Sequence, residues 1–185
     1  MAIKTFTAGE VLTASDTNTY LANSGLVYVA GATLTVTTTP SNITGVFSST
    51  YTNYRVLLNF TARSTTNRID MKYINGTTPT SSGYYQAGIG SDWGANSPVY
   101  YQRSNNDAQF FGQSGNSPLS IAIDIFNPNV SGYTPHTGTA LSVDTAYNYT
   151  IGGNQNALNV FTGFQLYTTT GTATLKYAVY GYREA

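Results

Sequence analysis

The chain has no cysteine, a single histidine (His136), and charged side chains at only 9% of its positions. The first absence excludes disulfides, thiolate nucleophiles and cysteine-ligated metals. The second leaves one position for the commonest general base. The third lies far below the roughly one quarter usual in soluble domains. Eight basic residues balance eight acidic ones, so no field exists to hold a polyanion, and nucleic-acid binding through phosphates is excluded. No apolar run approaches the roughly 18 residues of a membrane-spanning helix. Met1 to Glu10 contains one lysine and no apolar stretch of the kind a secretory signal needs. The expectation is a chain made without a signal peptide and not inserted in a membrane.

What fills the chain instead is Thr, Ser, Asn, Gly and Tyr, arranged around segments in which apolar residues recur at every second position. Leu119-Ser120-Ile121-Ala122-Ile123-Asp124-Ile125 is one such segment, and Tyr54-Arg55-Val56-Leu57-Leu58-Asn59-Phe60 is another. That period belongs to a strand with one buried face. Short strands are expected at Leu26–Val29 and Thr33–Thr37, joined by Ala30-Gly31-Ala32, then at Arg68–Asn75, Gly83–Ile89, Val99–Arg103, Gln109–Gly112, Thr139–Val143 and Tyr147–Ile151. Asn75-Gly76 reads as a turn. The alternation of Leu158, Val160, Phe164 and Leu166 marks another strand. Thr170-Gly171-Thr172 then makes a hairpin with Thr172–Arg183, whose inward residues are Ala173, Leu175, Tyr177 and Val179. Many short strands with frequent turn signals predict an all-β fold, an antiparallel, jelly-roll-like β-sandwich. At 185 residues the chain is one such domain over residues 26–185, preceded by an arm over residues 1–25.

The arm has its own pattern. Thr13-Ala14-Ser15-Asp16 is a capping box, with Thr13 as N-cap and the Asp16 carboxylate at the third helical position. It predicts a short helix over Thr17–Asn23 that stops at Gly25. A helix this short is not stable alone. Its apolar residues, among them Phe6, Val11, Leu12, Tyr20 and Leu21, either cap the same domain or dock onto another subunit.

The segment Phe6-Thr7-Ala8-Gly9-Glu10-Val11-Leu12-Thr13-Ala14-Ser15-Asp16-Thr17-Asn18-Thr19-Tyr20-Leu21 resembles the start of many tailed-bacteriophage structural proteins, which carry F-x-A-G-E-V-L-T-A-x-D-x-N-x-Y-L ahead of a β-rich body. The ending Tyr177-Ala178-Val179-Tyr180-Gly181-Tyr182-Arg183 resembles the V-Y-G-x-R/K strand that closes phage fibre-type sandwich domains. The resemblance implies a virion component, commonly trimeric: a tail fibre or tail-associated adhesin, or alternatively a head-fibre or capsid-decorating protein. It implies other virion proteins as partners, reached through the arm residues Phe6, Val11, Leu12, Asp16, Tyr20 and Leu21. It also implies synthesis in the host cytoplasm and a final location on the virion.

Chemistry is hard to build from the remaining residues. His136 sits in the Pro-containing stretch Asn127–Gly138, which reads as a loop with an exposed histidine. A triad would need it beside Asp124 or Asp144 and a serine, and no nucleophile motif supports that. Carboxylates fall singly, without the spacing of a calcium loop. No catalytic, cofactor or metal site is expected. The aromatic residues Tyr84, Tyr85, Trp93, Tyr100 and Tyr101 lie close in sequence among Gly, Asn and Asp. Such a cluster suits a host-cell glycan or a protein interface, and the free-standing alternative to a virion protein is a carbohydrate-binding module. Adjacent strand residues face opposite ways, so the doublets Tyr84-Tyr85 and Tyr100-Tyr101, Leu57 beside Leu58, and Val160 beside Phe161 put apolar surface on both faces of a sheet. Sheet-against-sheet packing of subunits, as a homotrimer, is the expectation that follows.

Overall fold

The structure, a computed structural model, describes residues 7–11, 13, 15, 25–64, 67–92, 97–106, 109–114, 119–142 and 147–183. The strands are β1 (Leu26–Val36), β2 (Ser41–Ile43), β3 (Asn53–Arg63), β4 (Asn67–Asn75), β5 (Thr78–Pro79), β6 (Tyr84–Asp92), β7 (Ser97–Asn106), β8 (Gln109–Ser114), β9 (Leu119–Phe126), β10 (Thr134–Ser142), β11 (Tyr147–Gln155), β12 (Gly163–Thr168) and β13 (Ala173–Tyr182). An eight-stranded sheet runs β1-β13-β3-β9-β10-β11-β6-β7, and a five-stranded sheet runs β2-β12-β4-β5 with β8 also on β4. The strand pairs are antiparallel. The fold is an all-β antiparallel sandwich. The helix expected over Thr17–Asn23 lies outside the described residues.

Period-2 alternation determines which side chains meet. On β3, Tyr54, Val56, Leu58 and Phe60 are buried while Leu57 and Asn59 face out; on β9, Ile121, Ile123 and Ile125 are buried. They pack with Leu175 and Val179 of β13 in one core with Ile69, Met71 and Tyr73 of β4 and Phe164 and Leu166 of β12. Two loop aromatics close the space between the sheets. Phe47, between β2 and β3, lies 4.9 Å from Tyr54, 5.8 Å from Phe164 and 6.4 Å from Tyr73, centroid to centroid. Phe161, just before β12, stacks at 5.0 Å on Tyr73. Buried ring pairs of this kind add to area burial. The Tyr54 hydroxyl serves the backbone as well, donating to the Ser48 carbonyl and accepting from the Ser48 N–H, both at 2.8 Å.

Four expectations are corrected. Leu26–Val29 and Thr33–Thr37 form one strand with a bulge between Tyr28 and Ala30. Gly31 does not turn the chain; a Cβ there would sit 2.6 Å from the Tyr177 carbonyl oxygen, so glycine permits the close approach of β13. Thr170-Gly171-Thr172 does not join a hairpin, because β12 belongs to the small sheet and β13 to the large one. Both strands are buried on their inner faces, and the connection crosses the sandwich. Leu158 and Val160 lie outside β12 and are exposed. The strand starts only at Gly163, after Phe161 has turned into the core. Finally, the loop after β9 ends at Tyr133, and Pro135 and His136 are in β10. Pro135 is tolerated because it pairs with Asn154 of β11, whereas pairing with β9 begins only at His136.

The edges of the large sheet differ. β7 carries Pro98 and Arg103, whereas β1 has eleven residues with neither proline nor charge.

Close approach of β6 and β11 gives a stability test. A Cβ on Gly90 would lie 2.1 Å from the Asn148 carbonyl oxygen, while one on Gly152 would meet nothing within 4 Å. Gly90→Ala is expected to lower urea-denaturation stability by about 1–3 kcal/mol, and Gly152→Ala to change it by less than about 0.5 kcal/mol.

Candidate functional site

The face of the eight-stranded sheet that points away from the core carries the surface of interest. Cross-strand register places Ala178, Leu57, Ala122, Thr139, Thr150, Ile89 and Tyr100 in one row from β13 to β7. The next row holds Lys176, Asn59, Ser120, Leu141 and Asn148. Small side chains in the middle of these rows leave a groove of ≈660 Å³, bounded by Leu57, Leu141, Lys176 and Ala178. Large apolar side chains stand exposed along the face: Leu57 at 38%, Leu141 at 41%, Ile89 at 53% and Tyr100 at 75%. Monomeric proteins seldom leave a contiguous apolar surface of this kind uncovered.

The charged side chains among the described residues of this face are Arg55, Asp124 and Lys176. Arg55 and Asp124 are direct cross-strand partners. Arg55 donates from Nε to Asp124 Oδ1 and from Nη2 to Oδ2, each at 2.9 Å, a bidentate fork. Tyr182 Oη donates to Asp124 Oδ1 at 2.5 Å. The Asp124 hydrogen bond holds the Arg55 guanidinium above its ordinary pKa, against the opposing effect of burial. Burial first, and the Asp124 hydrogen bond second, raise the Tyr182 phenol. Solvent reaches Arg55, so the pair adds little to stability. Its effect is to neutralise the carboxylate within the face itself.

Asp124 and the histidine form no hydrolytic dyad. His136 is 1% exposed on the inner face of β10, whereas Asp124 is on the outer face of β9. The expectation of an exposed loop histidine is therefore corrected: period 2 turns the imidazole inward once Pro135 joins the strand. Asp144 lies outside the described residues. Burial lowers the His136 pKa from 6.5 to about 3, with a hydrogen bond to the Thr134 backbone opposing it. The imidazole is neutral in the fold. Among the described residues no three His, Asp or Glu side chains come together as metal ligands.

The expected aromatic cluster is divided. Tyr84 is a core residue, fully buried, with its hydroxyl accepting from the Tyr73 N–H at 2.7 Å and donating to the Thr80 carbonyl at 3.3 Å. This corrects its reading as a glycan or interface aromatic. Tyr85 and Tyr100 point outward, but Tyr100 sits opposite Ile89, about 13 Å along β6 from Tyr85 at the usual strand rise. Trp93 and the side chain of Tyr101 lie outside the described residues. So do the arm residues Phe6, Leu12, Asp16, Tyr20 and Leu21. Val11 is described and is 78% exposed. It follows a tight turn in which Glu10 N–H donates to the Thr7 carbonyl at 3.0 Å and the Thr7 N–H donates to the Glu10 carboxylate at 3.1 Å. Gly9 supplies the positive φ of 88°.

Leu57 stands out in the sequence, whereas Ala122, Thr139 and Thr150, in the middle of the groove, do not. Small side chains give no signal until neighbouring strands align them.

No protein-family model matches the chain, and no curated protein matches it. Among solved structures, the crystal structure of Caenorhabditis elegans galectin LEC-6 is similar at a TM-score of 0.36 and 13% sequence identity, covering 80% of this chain and 94% of that chain.

The buried histidine sets a pH dependence. A folded pKa of about 3 against 6.5 unfolded means that the unfolded chain binds the proton more readily. The stability linked to His136 is thus complete above pH 6.5 and is lost as pH falls toward 3. Between pH 6 and pH 5, before carboxylates titrate strongly, wild-type stability should fall by about 1 kcal/mol. His136→Gln should flatten that interval in chemical-denaturation curves.

Proposed function

We propose that this chain is a non-enzymatic structural protein of a tailed-bacteriophage virion, of the tail-fibre or adhesin type, attached through its N-terminal arm and assembled with copies of itself as a trimer. The observation that carries the reading is the segment from Phe6 to Leu21, whose Thr-Ala-Gly-Glu portion forms the closed turn at Thr7–Glu10 with Val11 presented to solvent. An exposed, preformed turn followed by an apolar side chain suits a segment that docks onto another protein.

The body of the protein supports the same reading. The outer face of its large sheet is apolar and carries few charges, and the acid there is already paired to Arg55. A protein partner can cover such a surface without stranding a charge. A sugar ring wants an aromatic platform with polar groups around it; Tyr85 and Tyr100, the outward-pointing members of the expected cluster among the described residues, stand apart from each other.

Deleting residues 1–24 tests the reading. The shortened chain should fold, with a far-UV spectrum of β type and cooperative melting, yet be missing from purified particles that contain the full-length chain by mass spectrometry. Incorporation of the shortened chain, or absence of the full-length chain from particles, would overturn the reading.

A further inference from the structure

We propose that the β6–β7 rim of the large sheet, with Ile89 and Tyr100 at its crest, seats in the Leu57–Ala122 groove of a second copy, and that three such contacts close a ring. The three-fold order rests on the virion reading above; the contact itself rests on the shape and charge of the face.

Shape comes first. The row that crosses the sheet has Ala178 and then Leu57, followed by small side chains at Ala122, Thr139 and Thr150 and two large exposed ones at Ile89 and Tyr100. The face therefore has a hollow and a raised margin. Two grooves laid one over the other would leave the ≈660 Å³ hollow as a void, and voids forfeit contact energy. A margin entering a hollow fills it. A two-fold pair can make that contact reciprocally and a ring makes it head to tail; the three-fold order of the virion reading selects the ring, which closes when the rotation allows.

Charge comes second. The outward positions of the rim are Ala87, Ile89 and Ser91 on β6 and Pro98, Tyr100 and Gln102 on β7. None is charged. At the groove the charge is Lys176, whose stem can lie along apolar surface while its ammonium stays in water. The opposite margin fits less well. Its Tyr28 already packs edge-on against Tyr180 at 5.9 Å, and Tyr180 stands across from Arg55.

Area comes third. Eight strands about 4.8 Å apart and about nine residues long at about 3.4 Å per residue give a face on the order of 1,000 Å². If about half serves as groove and half as rim, each contact buries about 1,000 Å² over both partners, the lower bound for a specific interface. In a closed ring every copy holds two of them.

The cysteine-free sequence allows a direct test. Tyr100→Cys and Ala122→Cys are made singly and together in the full chain and treated with a short bismaleimide. The double variant should give dimer and trimer bands ending at the trimer, each single variant should stay monomeric on the gel, and wild type should scatter light with three times the chain mass at micromolar concentration. If Ala122→Cys impairs folding, Thr139→Cys, its exposed cross-strand neighbour, takes its place. A monomeric wild-type mass overturns the proposal. So does a ladder from the double variant that stops at the dimer or a dimer band from Ala122→Cys alone, both marks of a two-fold contact, or a trimeric mass without bands from the double variant. Particle incorporation is a separate readout: a monomer that still enters particles would remove the rim contact and leave the virion role standing.

Discussion

The packing of Phe47, Phe161 and Phe164 around Tyr54 and Tyr73 is the contact on which the molecule depends. These rings come from both sheets and from two loops, and they turn two layers into one core. Below them the alternating residues of β3, β9 and β13 complete the interior with side chains that are almost wholly buried. The sandwich therefore satisfies its hydrophobic requirement with one face of each strand. Nothing in that core calls for Leu57, Ala122 or Ala178 on the other face. Their apolar character is surplus to it.

Strand parity also separates the groups from which an active site would be assembled. His136 and Asp124 belong to neighbouring strands, yet one faces the interior and the other the outer surface. The carboxylate is occupied by Arg55 and Tyr182, and the imidazole is held neutral by burial. Both groups are thus accounted for by structure. What the outer face offers to other molecules is shape and apolar area, which is the currency of assembly.

Much of this architecture was legible in the residues. The period-2 runs at Tyr54–Phe60, Leu119–Ile125 and Ala173–Val179 specify strands and their inner faces, because half-buried strands leave that signature. The doublet of Leu57 and Leu58 announced a second apolar face. Three things were not legible. Which sheet a strand joins is not written in its own sequence, so the Thr170–Thr172 connection resembled a hairpin although it crosses the sandwich. Pro135 suggested a loop, because a local reading cannot know that its missing N–H falls where β9 does not yet pair. Tyr84 resembled a surface aromatic, since only the fold reveals that its hydroxyl reaches Tyr73 and Thr80 in the interior. In the groove, alanine and threonine carry no individual signal, and the hollow arises from their alignment over four strands.

The contrast between the two borders of the large sheet has a consequence for the solitary subunit. β7 carries Pro98, while β1 offers eleven neutral residues whose outward backbone groups have no neighbouring strand among the described residues. Natural proteins ordinarily blunt such a border with lysine, proline or a cover. A population of unassembled chains would therefore be drawn toward ladder-like growth, one border templating the next. Whatever covers that border would then hold separate chains apart as well as complete the sheet.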